Sequence, residues 1–285
     1  MNIQNPIIVD ISEWQEPKNI NYDVLAKNVS GVIVRVQYGS NYIDKHYKTH
    51  INEFKKRGVP IAVYAWVRGS SYSDMEVEAN DFYQRAKEFK PSFWWLDIEE
   101  QSMNDMRGGC EKYRQKLKSL GAEKVGCYIA NHLYQAFNID VVKFDGLWIP
   151  TYGRNNGLYE GNNPTSTNNY DIHQYTSNGR LQGYNGVLDL NRIVKKSFEY
   201  FFSKCETTNK EGVFMKNIKI TTSDVKLRNS VDISSDKNVI ATLKRGDVVS
   251  INDIVFANGF VWGVQPRANG SKGYIDIGKS VSWVG

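Results

Sequence analysis

The sequence predicts an α/β protein: an irregular β/α barrel of eight strands and about five helices, followed by a small all-β domain. Three observations lead there. Short apolar runs recur through the first two hundred residues at spacings that fit helices. The last two of these runs follow one another without room for full helices between them. Beyond residue 202 the texture changes to brief β-like runs separated by Asn-, Asp- and Gly-containing turns. A chain of 285 residues with 41 % hydrophobic content fits one large plus one small domain.

The strands are read in order as NPIIVDIS, GVIVRVQY, PIAVYAWV, SFWWLDIE, KVGCYIAN, GLWIPTY, YDIHQYT and GVLDLN. Between the second and third, YKTHINEFKKRGVP stops at Gly58 with Pro60 just beyond, as a helix C-terminus should. After the third, SYSDMEVEANDFYQRAKEF offers Ser73 as N-cap with Glu76 three residues later, a capping-box signature. Strands joined by helices run parallel with right-handed crossovers, and eight suffice to close a barrel. The barrel is expected over residues 1–202 and a polar linker over 203–214. In the all-β domain, 215–285, the expected strands lie in VKLRNS, NVIATL, DVVSIND, FVWGVQP and KGYIDI, with Asn258-Gly259 as a hairpin signal.

No run approaches the roughly 18 apolar residues that cross a bilayer, and the N-terminus lacks the basic start and apolar stretch of a signal peptide. The expectation is a protein made in the cytoplasm, with no membrane or nucleic-acid partner. Cys110, Cys127 and Cys205 are odd in number and have no metal-ligand spacing, so they read as free thiols; no metal or cofactor is implied. Net charge is +5, of which residues 215–285 carry +4, from ten Lys/Arg against six Asp/Glu. A basic tail suits a polyanionic partner; a solvated polar face is the plainer alternative.

SFWWLDIEE, residues 92–100, is an apolar run that ends in three carboxylates. Strand alternation puts Trp95, Asp97 and Glu99 on one face and Trp94, Leu96, Ile98 and Glu100 on the other. Catalytic groups of β/α barrels sit at the C-terminal strand ends, where this pair lies. Asp10 in the first strand and Asp189 in the last fit the same mouth. Strand-end acids also cap loops or pair with Arg and Lys, but four together favour a site. Clustered carboxylates bind hard metals or hydrolyse glycosides. Trp14, Tyr38, Tyr64, Trp66, Tyr128, Trp148, Tyr152 and Tyr175 lie in or just beyond strand ends. Flat rings there suit sugar faces, which a metal site would not need.

In order along the chain, DIS, LDIEE, YIAN, LWIPTYG, IHQYTSNGRLQG and LDLN resemble glycoside hydrolase family 25, the muramidases of phage endolysins and bacterial autolysins, over about residues 5–195. The resemblance implies Glu99 as general acid and Asp10, Asp97 and Asp189 as the other site carboxylates. A groove is expected from Tyr38, Tyr64, Trp66, Tyr128, Trp148, Gln174 and Tyr175. It further implies net retention and cleavage of the β-1,4 bond between N-acetylmuramic acid and N-acetylglucosamine, with release to the wall by a holin. Two departures are His173, where many members have Trp, and Ala65, where many have His. The tail resembles bacterial SH3-like wall-binding domains in VKLRNS, VIATLKRGDVV and GYIDI, without the usual Gly-Pro; peptidoglycan and anionic wall polymers are the implied partners. Two other readings remain: a chitinase-type barrel, which would carry acids where this chain has Phe93 and Trp95, and a non-catalytic wall-binding protein. Lys210-Glu211-Gly212 permits codons of a ribosome-binding sequence two codons before Met215. A separate tail fragment, able to join the full chain, would follow from initiation there.

Overall fold

The computed structural model describes residues 2–202, 216–267, 271–278 and 281–284. The chain forms two units, Met1–Cys205 and Glu206–Gly285.

In the first unit the strands are β1 (Ile8–Ile11), β2 (Gly31–Tyr38), β3 (Tyr42–Ile43), β4 (Ile61–Trp66), β5 (Trp94–Ile98), β6 (Val125–Ile129), β7 (Gly146–Pro150), β8 (Ile172–Gly179) and β9 (Leu188–Ile193). All eight expected strands are present; β3 is a two-residue antiparallel addition at the end of β2. The ring runs β1-β9-β8-β7-β6-β5-β4-β2 and closes because β1 also pairs with β2. Every pairing in the ring is parallel except those of β9, which is antiparallel to both neighbours. Because β9 runs backwards, its first residues open at the end where the other strands finish, and Asp189 joins the mouth.

The α-helices are α1 (Tyr22–Leu25), α2 (Tyr47–Lys56), α3 (Tyr72–Ala86), α4 (Met106–Leu120), α5 (Tyr134–Phe137) and α6 (Phe198–Phe201). Helix α2 ends as expected, with Gly58 in the left-handed region. Helix α3 is capped two residues earlier than expected: the Ser71 hydroxyl accepts from the Asp74 amide at 3.1 Å, so Ser73 lies inside the first turn. Among the three clustered serines, Ser71 has the extended backbone an N-cap needs.

The barrel has two apolar layers. Val9, Val34, Val63, Leu96, Ile129 and Ile149 point outward beneath the helices, while Ile8, Ile33, Ala62, Trp95, Trp148 and Ile172 fill the inside. Phe201 and Phe202, from the end of α6, join this inner cluster. Trp95 is fully buried and stacked on Phe93 at 4.4 Å. Its bulk is accommodated by Gly126 on β6 and Gly146 on β7, where an added Cβ would lie within 2.8 Å of its ring. Cys110 and Cys127 are free and buried; Cys205 lies outside the described residues.

The second unit is all-β, with strands β10 (Lys216–Ile220), β11 (Val225–Arg228), β12 (Val239–Leu243), β13 (Val248–Ile251), β14 (Asp253–Ala257), β15 (Phe260–Pro266), β16 (Lys272–Asp276) and β17 (Val281–Val284). They form a three-stranded sheet, β13-β10-β17, and a five-stranded sheet, β12-β11-β16-β15-β14. Asn258 and Gly259, both at positive φ, make the two-residue turn between β14 and β15. Strands β10, β14 and β17 go beyond the sequence expectation. The expected linker and Met215 lie outside the described residues.

Candidate active site

Asp10, Asp97, Glu99 and Asp189 line one cavity of about 180 Å3 at the C-terminal mouth of the barrel, together with Ser12, Trp14, Arg35, Tyr64, Trp66, Tyr128, Trp148, Tyr152 and Gln174. Strand register builds it. Trp66, Asp97, Tyr128 and Trp148 sit side by side on β4, β5, β6 and β7, and Asp10 faces Asp189 across the β1–β9 pair. Alternation does the rest: Trp94, Leu96 and Ile98 turn outward into the main core, leaving Asp97 to the interior.

Asp97 and Glu99 lie two residues apart on the inner face, where each bears on the titration of the other. Burial is the main cause of the raised pKa of each, followed for Asp97 by the charge of Glu99; Glu99 is pushed up to about 6. Asp97 is 4 % exposed and its Oδ1 has no partner among the described residues, whereas Glu99 is half-buried. Both line the cavity, and of the pair Glu99 is the more open to a bound substrate. Burial also lifts Asp10 to about 6 and, with the charge of Asp10 next, Asp189 to about 8.

Asp10 is tied into a buried polar chain. Its Oδ2 accepts from Gln174 Nε2 at 2.9 Å and from Asn191 Nδ2 at 2.7 Å. Gln174 Oε1 accepts from the hydroxyls of Tyr152 at 2.6 Å and Tyr128 at 3.0 Å, and Asn191 Oδ1 accepts from Trp148 Nε1 at 2.8 Å. Trp148 is therefore a wall anchored by its N–H, and Gln174 has its carbonyl occupied by protein hydroxyls rather than turned to substrate.

The rim has two apolar faces. Trp14 is 76 % exposed on a loop fixed by the Glu13 amide donating to Asp44 Oδ2 at 2.8 Å and the Ser12 amide donating to Gln15 Oε1 at 2.9 Å. Opposed to nothing in its own loop, its ring is free to stack on a sugar. Trp66 donates its Nε1–H to Glu100 Oε1 at 3.0 Å; Tyr38, whose ring centroid is 5.2 Å from that of Trp66, donates its hydroxyl to the same oxygen. Tyr38 thus supports the rim from behind and does not line the cavity.

Tyr175 requires correction. It follows Gln174 on β8 and so points outward, buried 2 % exposed in the outer layer, with its hydroxyl accepting from the Gln4 amide. The departures Ala65 and His173 are not on the inner face either. Ala65 belongs to the outer core. His173 accepts from Arg192 Nε at Nδ1, which fixes its proton on Nε2, bonded to the Thr151 carbonyl. Neither change alters the mouth. Sequence reasoning missed Arg35 and Asn191. Arg35, 7 % exposed, binds Asp44 at 3.1 Å and Glu13 at 3.2 Å and puts a cation beside the acids. Its signal was a charge at an inward position of an apolar strand, in GVIVRVQY. Among the described residues no cluster of His, Cys, Asp and Glu is arranged to hold a metal ion.

The chain as a whole has counterparts among solved structures. The chain is 44 % identical to the glycosyl hydrolase 25 GHIP of Streptococcus pneumoniae, with a TM-score of 0.68, covering 70 % of this chain and 94 % of that one. It is 27 % identical to the catalytic domain of the endolysin ply40 from bacteriophage P40 of Listeria monocytogenes, with a TM-score of 0.62, covering 68 % and 96 %. It also shares its fold with the endolysin CTP1L, whose activity is regulated by a secondary translation product, at 23 % identity and a TM-score of 0.57, covering 68 % of each chain. No curated protein matches. Residues 9–184 match the model of the glycosyl hydrolases family 25, and with the acids of that stretch gathered at one barrel mouth, the chain belongs to this family of glycosidases.

Proposed function

We propose that the protein is a peptidoglycan hydrolase that cuts the β-1,4 bond between N-acetylmuramic acid and N-acetylglucosamine, and that its tail is an SH3-like domain that binds the bacterial wall. The observation that carries this reading is the Asp97–Glu99 pair, whose raised pKa values keep a proton at hand, in one cavity with Asp10 and Asp189 that Trp14 and Trp66 also line. Glu99 donates that proton to the leaving oxygen as the glycosidic bond breaks. Asp97, deeper and with one oxygen unpartnered, orients the group that attacks the anomeric carbon or attacks it itself. Asp10 carries the charge that faces the oxocarbenium-like state. Asp189, held protonated to about pH 8, offers a hydrogen bond.

The enzyme would reach the wall from inside the cell through a holin-type pore. The basic excess of the tail suits anionic wall polymers. An internal start at Met215 would supply further tail copies, much as a secondary product regulates the related CTP1L. The test is to digest purified walls, reduce the new ends and weigh the fragments. Muramitol ends support the assignment. Glucosaminitol ends place the cut on the other bond, cleavage of chitin but not of walls favours a chitinase, and no cleavage at all leaves a binding protein.

A further inference from the structure

Among the described residues, Asp10 is the one of the four acids that receives two side-chain N–H groups, and the donors are not interchangeable with their own carbonyls. An amide can turn over and offer either oxygen or nitrogen, and here the partners at its two ends decide which. Trp148 Nε1 can only donate, so Asn191 must present its oxygen to the indole and its nitrogen to Asp10. Two tyrosine hydroxyls converge on Gln174 Oε1 and could serve either end of an amide, but an ionised Asp10 can only accept, so that amide too sends its nitrogen to Asp10. Asp10, Gln174 and Asn191 are each no more than 4 % exposed, so water does not substitute for either donor.

We infer that Asn191 and Gln174 are positioning residues, which hold the Asp10 carboxylate in its ionised form and in one rotamer against three neighbouring acids. The groups around Asp10 make such a device necessary. Asp189 faces it on β9, Asp97 and Glu99 approach from β5, and Tyr64 and Tyr128 from β4 and β6, with Tyr152 beyond β7; Arg35 on β2 is the cation that lines the cavity. With both amides on Oδ2, the second oxygen of Asp10 is left for substrate. Deleting a donor exposes the anion to burial and to its acidic neighbours, so Asp10 takes up a proton at a higher pH. This inference rests on Asp10 being a working carboxylate.

The experiment measures kcat and KM against pH on bacterial walls for the full chain and for Gln174→Met, Asn191→Leu, Tyr152→Phe and Asp10→Asn. Loss of a clamp donor is expected to lower kcat by about 10- to 100-fold at the optimum, an amount typical of a lost charge-orienting contact. It should also move the acidic limb of the profile up by about one pH unit, with KM within threefold. Tyr152→Phe removes only one hydroxyl and is the variant expected to keep its fold without question. It should shift the same limb by less, and in Tyr152→Phe/Gln174→Met the shift should equal that of Gln174→Met alone, because the tyrosine acts through the amide. Additive effects in the double variant would mean that Tyr152 touches substrate directly, and an unmoved acidic limb in every variant would overturn the clamp. Full activity in Asp10→Asn would instead overturn the role of Asp10 itself, a different failure with a different signature.

Discussion

Asp10 and Asp189 lie directly opposite one another on β1 and β9, an antiparallel pair in the barrel. Burying a charge is costly, and a like charge placed opposite in the sheet adds to the cost. Asp189 accordingly holds its proton to about pH 8 against an ordinary 3.8. A raised acid leaves the stability of the folded state intact below its unfolded pKa and erodes it as pH rises through the folded one. Asp189→Asn should therefore raise the melting temperature by a few degrees at pH 8 and not at pH 4, while activity falls about 100-fold or more, a trade of function for stability. Equal gains at both pH values would show that charge is not the cause.

The pH–rate profile should be a narrow bell near pH 6. The rise on the acid side reports Asp10 losing its proton, and the fall on the alkaline side reports the Asp97–Glu99 pair losing its proton. Glu99→Gln keeps the shape but has no acidic proton, and should reduce kcat by about 1,000-fold without altering the melting curve. Residual activity above about a hundredth of wild type removes Glu99 from the acid role.

How far this was legible in the sequence follows from what each residue type can announce locally. The eight barrel strands are apolar runs, so all were visible, and Asp97 and Glu99 stand out because acids rarely end such a run. Asp189 was visible as a residue, but its place at the mouth depends on β9 running antiparallel. Tyr175 misled because an aromatic near a strand end looks the same on either face; the parity of Gln174 decides it. Asn191 shares its face with Asp189 in LDLN yet is an unremarkable residue until its partners, Trp148 and Asp10, are brought in from 43 and 181 residues away. In the tail, β14 follows β13 with a single residue, Asn252, between them, too brief a break for any turn signal.

The barrel floor has no spare room. A Cβ on Gly126 would stand 2.3 Å from Trp95 and 2.7 Å from Phe93, two rings stacked on each other and fully buried. Gly126→Ala should cost about 3 kcal/mol in urea unfolding, at the upper end of ordinary overpacking penalties, and Trp95→Leu in the same chain should recover part of it. A loss below about 1 kcal/mol would show that the rings can slide.

A fragment covering residues 215–285 should bind walls of the host without cutting them. Its net +4 predicts binding that weakens with added salt, as screening shortens the reach of exposed charges. Binding indifferent to salt between about 0.05 and 0.5 M would point to recognition of neutral sugar or peptide.

Glu100, the third acid of LDIEE, has a different task from the other two. Its Oε1 accepts from Trp66 Nε1 at 3.0 Å, Arg68 Nε at 2.9 Å and the Tyr38 hydroxyl at 3.3 Å, and the Arg68 guanidinium lies over the Tyr38 ring at 4.7 Å. One oxygen thus fixes the plane of Trp66, the inward-facing ring beside Asp97. The contact is partly exposed, so its worth to stability is small, about 1 kcal/mol or less. Its worth to substrate is that a sugar meets a ring already held in place, without the entropy cost of ordering it. Glu100→Ala should therefore raise KM by about five- to tenfold and leave kcat within twofold, with Glu100→Gln, which can still accept the indole N–H, in between. A loss of kcat comparable to that of Glu99→Gln would place Glu100 in the chemistry and end this division of labour among the three acids.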